Sequence, residues 1–419
     1  MTPDPHPPGA PDEPSGPATG AGALPPGAPD GDGGKPSAGD GGADLWGLRG
    51  AAGVPEADHL DMDGFRMVAT DPRRLKRFLG ALALTLLVSS GCLLGAVVAI
   101  DPWDQFGQDT FEPLVPNQPR QKLDLYLALD EPPETVLIGA SNVRQYQPAD
   151  AAEVGWGETF NFAAGALSLE EQLALYRFLV DHDLQPDRMV FGVDLIALRP
   201  GQATNLRFLT DPLVQPYTDT DFGWFDYVFW STQYAINQAY IRDMARVLYY
   251  SAVGYPDPIN TYAPDGGFIY HPDRAPPLVD TPEGRAVLDR HIDTAVGTYA
   301  RLTEPARQPA KDLRDLVTMA AAEGEVVLFL PPYHPDYRAA LQKAGGYDEW
   351  RANSLALFQA FCAPGVRVVD ASYLEDYGGD PSLFSDGVHV QQGLPRTIME
   401  YVAVDGPDLC ADTATEASG

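Results

Sequence analysis

The sequence predicts an α/β fold, a parallel sheet covered by helices on both faces, standing behind a single membrane-crossing helix. Three observations predict it. Nearly all-apolar runs of strand length recur between segments with helical spacing, a pattern that buries each strand on both faces. A run of 23 uncharged residues, 78–100, has basic residues on one side and acidic residues on the other. Of the first 50 residues, 24 are Gly or Pro, with no repeating period.

The tail comes first. Residues 1–72 carry 12 acidic and three basic residues among their glycines and prolines. Such a segment buries too little apolar surface to offset its ordering entropy, so it reads as a disordered, solvated arm. Its last part, "HLDMDGFRMVATDPRRLKRF", has the composition of a short helix at a membrane surface. The whole chain bears a formal charge of −31, which argues against a nucleic-acid binder because such a protein needs a basic footprint.

Residues 73–100 follow as basic flank and span. The 23 uncharged positions exceed the roughly 20 needed to cross a bilayer as a helix. Arg73, Arg74, Lys76 and Arg77 precede them; Asp101, Asp104, Asp109 and Glu112 follow. The basic side stays in the cytoplasm, which puts residues 101–419 outside, as on the periplasmic face of a cell inner membrane. A cleaved signal peptide is the competing reading, with Val97-Val98-Ala99 as its cleavage site. The apolar run is longer than a signal core and is preceded by a long tail, which favours an uncleaved anchor.

In the external part, strands are expected at 135–139, 159–163, 188–194, 325–332 and 366–370. The stretch 168–182 has apolar residues at helical spacing, with Ser168 placed to cap it and Glu170 and Glu171 in its first turn. The interval 195–320 breaks the alternation. It holds the aromatic-rich "FGWFDYVFWSTQYAINQAYIRDMARVLYY", a Pro/Gly-rich loop and a helical stretch from about 283 to 323, and reads as an inserted helical cap or lid. The aromatic stripe has a packing reading and a substrate-platform reading. Cys362 and Cys410 are either unrelated small residues or one stabilising bridge in an oxidising compartment.

The residues that carry chemistry lie at the two ends of this domain. "TVLIGASN" drives an apolar strand into a turn of small residues around Ser141. "SDGVH" places Asp386 three residues before His389, ahead of a helical pattern. A serine hydroxyl is a weak nucleophile until a base takes its proton, and that base needs a third group to orient it. Ser141, His389 and Asp386 fill the three roles if the fold brings them together. In a parallel sheet the strands' carboxyl ends share one edge, where Ser141 lies.

Here the chain resembles the SGNH (GDSL-like) hydrolases, through the strand followed by "GASN", through "FNFAAGALS" and through the terminal "SDGVH". The resemblance covers most of the external domain. It also extends to envelope proteins related to alginate O-acetylation factors. It implies an SGNH-like three-layer fold, a triad of Ser141, Asp386 and His389, and acyl-ester chemistry as esterase or O-acyltransferase on an envelope carbohydrate. It implies an oxyanion donor at Gly165, with Ala166 next to it. Two positions depart from the family pattern. Ala140 stands where Asp is usual. Asp194 stands where a side-chain amide normally completes the oxyanion hole, and a carboxylate there would repel the developing charge. Asp194 is therefore protonated, turned elsewhere toward a hydroxyl or cation, or a mark of lost catalysis, and Asn142 is the candidate replacement donor. A non-catalytic carbohydrate-binding or assembly subunit, with envelope partners, is the alternative.

Asp194, His334, Asn161 and Arg144 are the candidates for substrate contact. His334 follows a strand, Asn161 can also brace the second block, and Arg144 binds an anionic group or pairs with a carboxylate. His182, His271 and His291 show no metal spacing and read as surface or packing residues. No metal or cofactor is expected.

Overall fold

A computed structural model describes residues 72–411 apart from 109, 202–204, 221–222, 256–260, 270–274 and 392. The expected tail, most of its surface helix and His271 lie outside the described residues. The chain divides into two compact units, one holding the apolar helix up to Ala96 and one running on from Val97.

The first unit is the bulk of α1, Pro72–Ile100. It is long and apolar enough to cross a membrane, with a mean hydropathy of 2.3 over its best 18 residues. Leu84, Leu86, Leu87 and Val88 are all exposed along it, as lipid-facing side chains would be.

The second unit opens with α2, Gln118–Leu127, capped by the Asn117 side chain. Then come β1 (Thr135–Gly139), the short α3 (Pro148–Ala151), β2 (Thr159–Asn161), α4 (Leu169–Asp181) and β3 (Arg188–Gly192). The 195–320 interval contains α5 (Leu206–Leu209), α6 (Trp224–Ile236), α7 (Gln238–Val253), a two-stranded hairpin of β4 (Thr261–Tyr262) and β5 (Phe268–Ile269), and α8 (Pro282–Tyr299). α9 (Arg307–Glu323) runs out of its end, followed by β6 (Glu325–Leu330), α10 (Pro335–Ala344), α11 (Tyr347–Gln359), β7 (Val366–Asp370) and α12 (Leu394–Glu400).

The five main strands are parallel, in the order β2-β1-β3-β6-β7. They form because each is a β-branched or apolar run with both faces covered; every residue of β1 is buried. Burying each such side chain stabilises by about 1.5–3 kcal/mol. Right-handed crossovers moving in opposite directions put their helices on opposite faces. The chain moves from β1 out to β2 through α3, then back across β1 to β3 through α4. Accordingly α3 packs with α12, and α4 with α9. The reversal lies beside β1, and the carboxyl ends of β1 and β3 are the edge where sheets of this kind bind ligands.

Four segments differ from expectation in extent. β2 and β3 stop at Asn161 and Gly192, two residues short; Phe162 N–H to Leu137 O and Val193 N–H to Phe329 O are the last bonds to their sheet neighbours β1 and β6. β6 ends at Leu330, before the two prolines. The stretch 283–323 is two helices, Pro282–Tyr299 and Arg307–Glu323, with Pro305 in the break between them. Ser168 caps α4 in a full capping box with Glu171. Cys362 and Cys410 form a disulfide, with Cα atoms 5.2 Å apart.

Candidate active site

β1 delivers Ser141. Gly139 is in register with Gly192 on β3, and the Val143 side chain stands over both. A Cβ on Gly139 would lie 2.7 Å from Gly192 O and 2.8 Å from Val143 Cγ2. Glycine at the strand end thus lets the turn fold back tightly, with Val143 N–H bonded to Ala140 O at 3.1 Å. Ser141 stays partly exposed while Asn142 and Val143 point inward.

The other half comes from the loop before α12. An isolated bridge joins Phe384 to Val390, and Ser385 N–H donates to His389 O at 3.0 Å, closing a tight loop. Inside it Asp386 Oδ1 accepts from Val388 N–H at 2.8 Å and His389 N–H at 2.9 Å. Gly387 is required because a Cβ there would strike the Tyr337 ring. Asp386 Oδ2 lies 2.7 Å from His389 Nδ1, and His389 Nε2 lies 2.8 Å from Ser141 Oγ. The structure therefore brings Ser141, His389 and Asp386 into one hydrogen-bonded chain. Burial alone would push the Asp386 carboxyl up; the His389 imidazole and, after it, His291 outweigh that and hold it well below the usual carboxylate range.

Such a chain can do one thing well. With Asp386 fixing the Nδ1–H tautomer, Nε2 is free to accept the serine proton, which makes Oγ a nucleophile.

The expected donors are placed as follows. Gly165 N–H is engaged: it donates to Gln118 Oε1 at 2.9 Å, and Arg144 Nη1 reaches the same oxygen at 3.4 Å. Ala166 beside it has φ of +56°, the left-handed region, so the turn after Gly165 is strained. Asn142 is 3% exposed, and neither its amide nitrogen nor its oxygen has a protein partner. A buried amide without a partner costs about 1–3 kcal/mol, and its N–H groups are able to donate to a group that enters beside them. Asp194 turns away to its own backbone, capping a short helix by accepting from Ala197 N–H at 2.7 Å. Burial pushes its carboxyl up to about 6.

The remaining candidates are structural in this geometry. Asn161 is fully buried; its Nδ2 donates to Tyr146 O at 2.6 Å and, at 3.3 Å, to Val143 O and Arg144 O, while its Oδ1 accepts from Ala163 N–H at 2.8 Å. It ties the serine turn to the second block and does not face a substrate. His334 is buried and caps α10 through Nδ1, which accepts from Asp336 N–H at 3.1 Å; burial pushes its imidazole down. Arg144 lies over the Phe268 ring, 4.9 Å from its centre, so it meets an aromatic face and Gln118 rather than a carboxylate.

Sequence reasoning read His291 as a surface or packing residue and passed over Lys122 and Gln118. His291 on α8 abuts the chain: its Nδ1 accepts from Gly387 N–H at 3.3 Å and lies 3.6 Å from Asp386 Oδ1, beyond hydrogen-bond length. Lys122 is fully buried, donating to Asn161 O at 2.8 Å and Ala163 O at 2.6 Å, with its charge 4.5 Å from the Tyr262 ring centre. Desolvation pushes its amine well below the usual lysine value. Gln118 is the third. No motif marks any of them. Among the described residues no three His, Cys, Asp or Glu side chains gather to hold a metal ion. A surface cavity of about 390 Å³ beside Arg177, Tyr217 and Met319 shares no residue with the Ser141 chain.

Comparison with protein-family models and with curated proteins finds no match for this chain.

Proposed function

We propose that the chain is a membrane-anchored serine esterase or O-acyltransferase of the SGNH type, acting on acyl esters of an envelope carbohydrate from the outer face of the membrane. The observation that carries this reading is the unbroken relay of 2.7 and 2.8 Å from Asp386 through His389 to Ser141. It lies at the carboxyl edge of a parallel sheet, beside the point where the winding reverses. His389 takes the Ser141 proton as Oγ attacks the ester carbonyl, then gives it to the departing alkoxide. A covalent acyl-serine results, and its fate decides between transfer and hydrolysis: a sugar hydroxyl that excludes water takes the acyl group, and water hydrolyses it. Asn142 and the backbone N–H groups of Ser141 and Gly165 are the oxyanion donors in this scheme.

A fluorophosphonate probe on the purified full-length chain tests it, because such probes phosphonylate only an activated serine. Labelling of the wild type and none of Ser141→Ala is the expected pair. A folded wild type that stays unlabelled would end the catalytic reading. In its place would stand a carbohydrate-binding subunit on the same fold, which the engagement of Gly165 N–H by Gln118 and the inward turn of Asp194 favour.

A further inference from the structure

The helical pair α6–α7 is the part of the 195–320 interval that the site does not use. Residues 224–253 hold nine aromatic residues and only four charged ones, in a chain of net charge −31. α7 has two apolar faces. One is buried: Tyr240, Met244 and Val247. The other is exposed: Leu248 at 48%, Tyr249 at 62% and Val253 at 60%. α6 likewise exposes Phe229 at 57% and Ile236 at 74%. Ile241, Ala245, Leu248 and Ala252 follow one another at helical spacing on the exposed side, so this is a continuous stripe and not scattered residues.

The buried face of α7 identifies what lies beyond the exposed one. Tyr240 Oη donates to Val97 O at 3.1 Å and meets Asp101 Oδ1 at 3.4 Å. Trp103 packs edge-on to Tyr240, with ring centres 5.0 Å apart, and its Nε1–H donates to Asp243 Oδ2 at 3.0 Å. Val97 and Ile100 are the buried last turn of the apolar helix α1. Counted from residue 78 at 1.5 Å per residue, Ile100 comes about 33 Å along, at the far boundary of a bilayer whose apolar core is about 30 Å thick. α7 is therefore clamped to the last turn of α1, the end at which a chain spanning a bilayer would leave it. Arg242 and Arg246 are half exposed and share Asp243 Oδ1 at 3.3 and 3.1 Å, leaving positive charge beside the stripe. Aromatic and aliphatic residues on one side with arginines at its margin are the composition of a helix lying in a lipid headgroup layer.

We infer that α6–α7 is seated in the outer leaflet of the bilayer that α1 crosses, as a second, in-plane attachment; this rests on α1 spanning the membrane.

Site-directed spin labelling of the full-length chain in phosphatidylethanolamine/phosphatidylglycerol proteoliposomes tests this. Cys92→Ser removes the free thiol. Nitroxides then go singly at Phe229→Cys and Tyr249→Cys, with Val88→Cys on α1 and Thr294→Cys on α8 as lipid and water references. A second pair, Leu248→Cys and Val253→Cys, covers any label that disturbs folding. The ratio of collision with oxygen to collision with a water-soluble nickel chelate should be several-fold higher at 229 and 249 than at 294, and near that at 88. Lipid exposure at 88 with water exposure at 229 and 249 overturns the seating alone. Low collision with both reagents at 229 and 249 overturns it in favour of a protein partner or a second copy. Water exposure at 88 overturns the span and the seating together.

Discussion

Gly165 N–H donates to Gln118 Oε1 at 2.9 Å, so a backbone donor proposed for the oxyanion is occupied by a neutral side chain. A substrate oxygen must displace it, at a net cost of about 0.5–1.5 kcal/mol for a neutral hydrogen bond. Gln118→Leu keeps the packing volume and frees the donor. Its kcat/KM on an aryl acetate should rise roughly two- to tenfold, since about 1.4 kcal/mol is tenfold in rate. A fall would mean that Gln118 holds Gly165 in place.

Ser141→Ala and His389→Ala should each lower kcat on the order of 10⁶-fold, and the double variant should be little worse, because the members act as a unit. Asp386→Asn should cost less, on the order of 10⁴-fold. It keeps the loop but loses the charge that holds the His389 tautomer. Additive losses in the double variant would count against one shared relay.

Cys362→Ser with Cys410→Ser opens a closed loop of 48 residues' separation. On a chain-entropy estimate the loss is about 4 kcal/mol. Thermal melting of the double variant against the wild type measures it, and thiol labelling of unreduced, denatured protein should find only Cys92.

Three carboxyls titrate with one sign. Burial pushes Glu171 up to about 7, and Asp194 and Asp312 up to about 6. A carboxyl raised on folding binds more protons in the native state, so its contribution is complete below the unfolded value and is lost as pH rises through the folded one. The melting temperature should therefore fall between pH 4.5 and 7. Glu171→Gln should flatten the slope, its share being about 3 kcal/mol at most from 1.36 kcal/mol per pKa unit. Asp386 is shifted the other way, with its window below pH 3.8; inside the range one group, the lowered His334 imidazole, opposes the three carboxyls as pH rises toward 6.5. A melting temperature that climbs from pH 4.5 to 7 would contradict the assignment.

The strands were legible because two-sided burial leaves a run such as Thr135–Gly139 apolar throughout. The Ser141 and Asp386–His389 pieces were legible because turn chemistry and a three-residue spacing are local. The Asp194 cap was also within reach, as an aspartate directly before Leu195-Ile196-Ala197-Leu198 is a helix-start signal. Lys122 and Gln118 were not, since "NQPRQK" has the polarity of an exposed helix start. What buries Lys122 is in part Tyr262 of the β4–β5 hairpin, which arrives 140 residues later. His291 was unreadable for the same reason: its partner Gly387 lies 96 residues away.

Ser141 follows the first strand and His389 follows the last, 248 residues on. On the sheet β1 and β7 are separated by β3 and β6, so their contact closes only after the intervening strands have been laid down in order. A chain made from its amino end thus carries, for all that length, an ordinary alcohol with no base beside it. On the proposed function, reactivity would be switched on by the completion of folding, and a protein cut short before His389 would be chemically silent rather than merely slow.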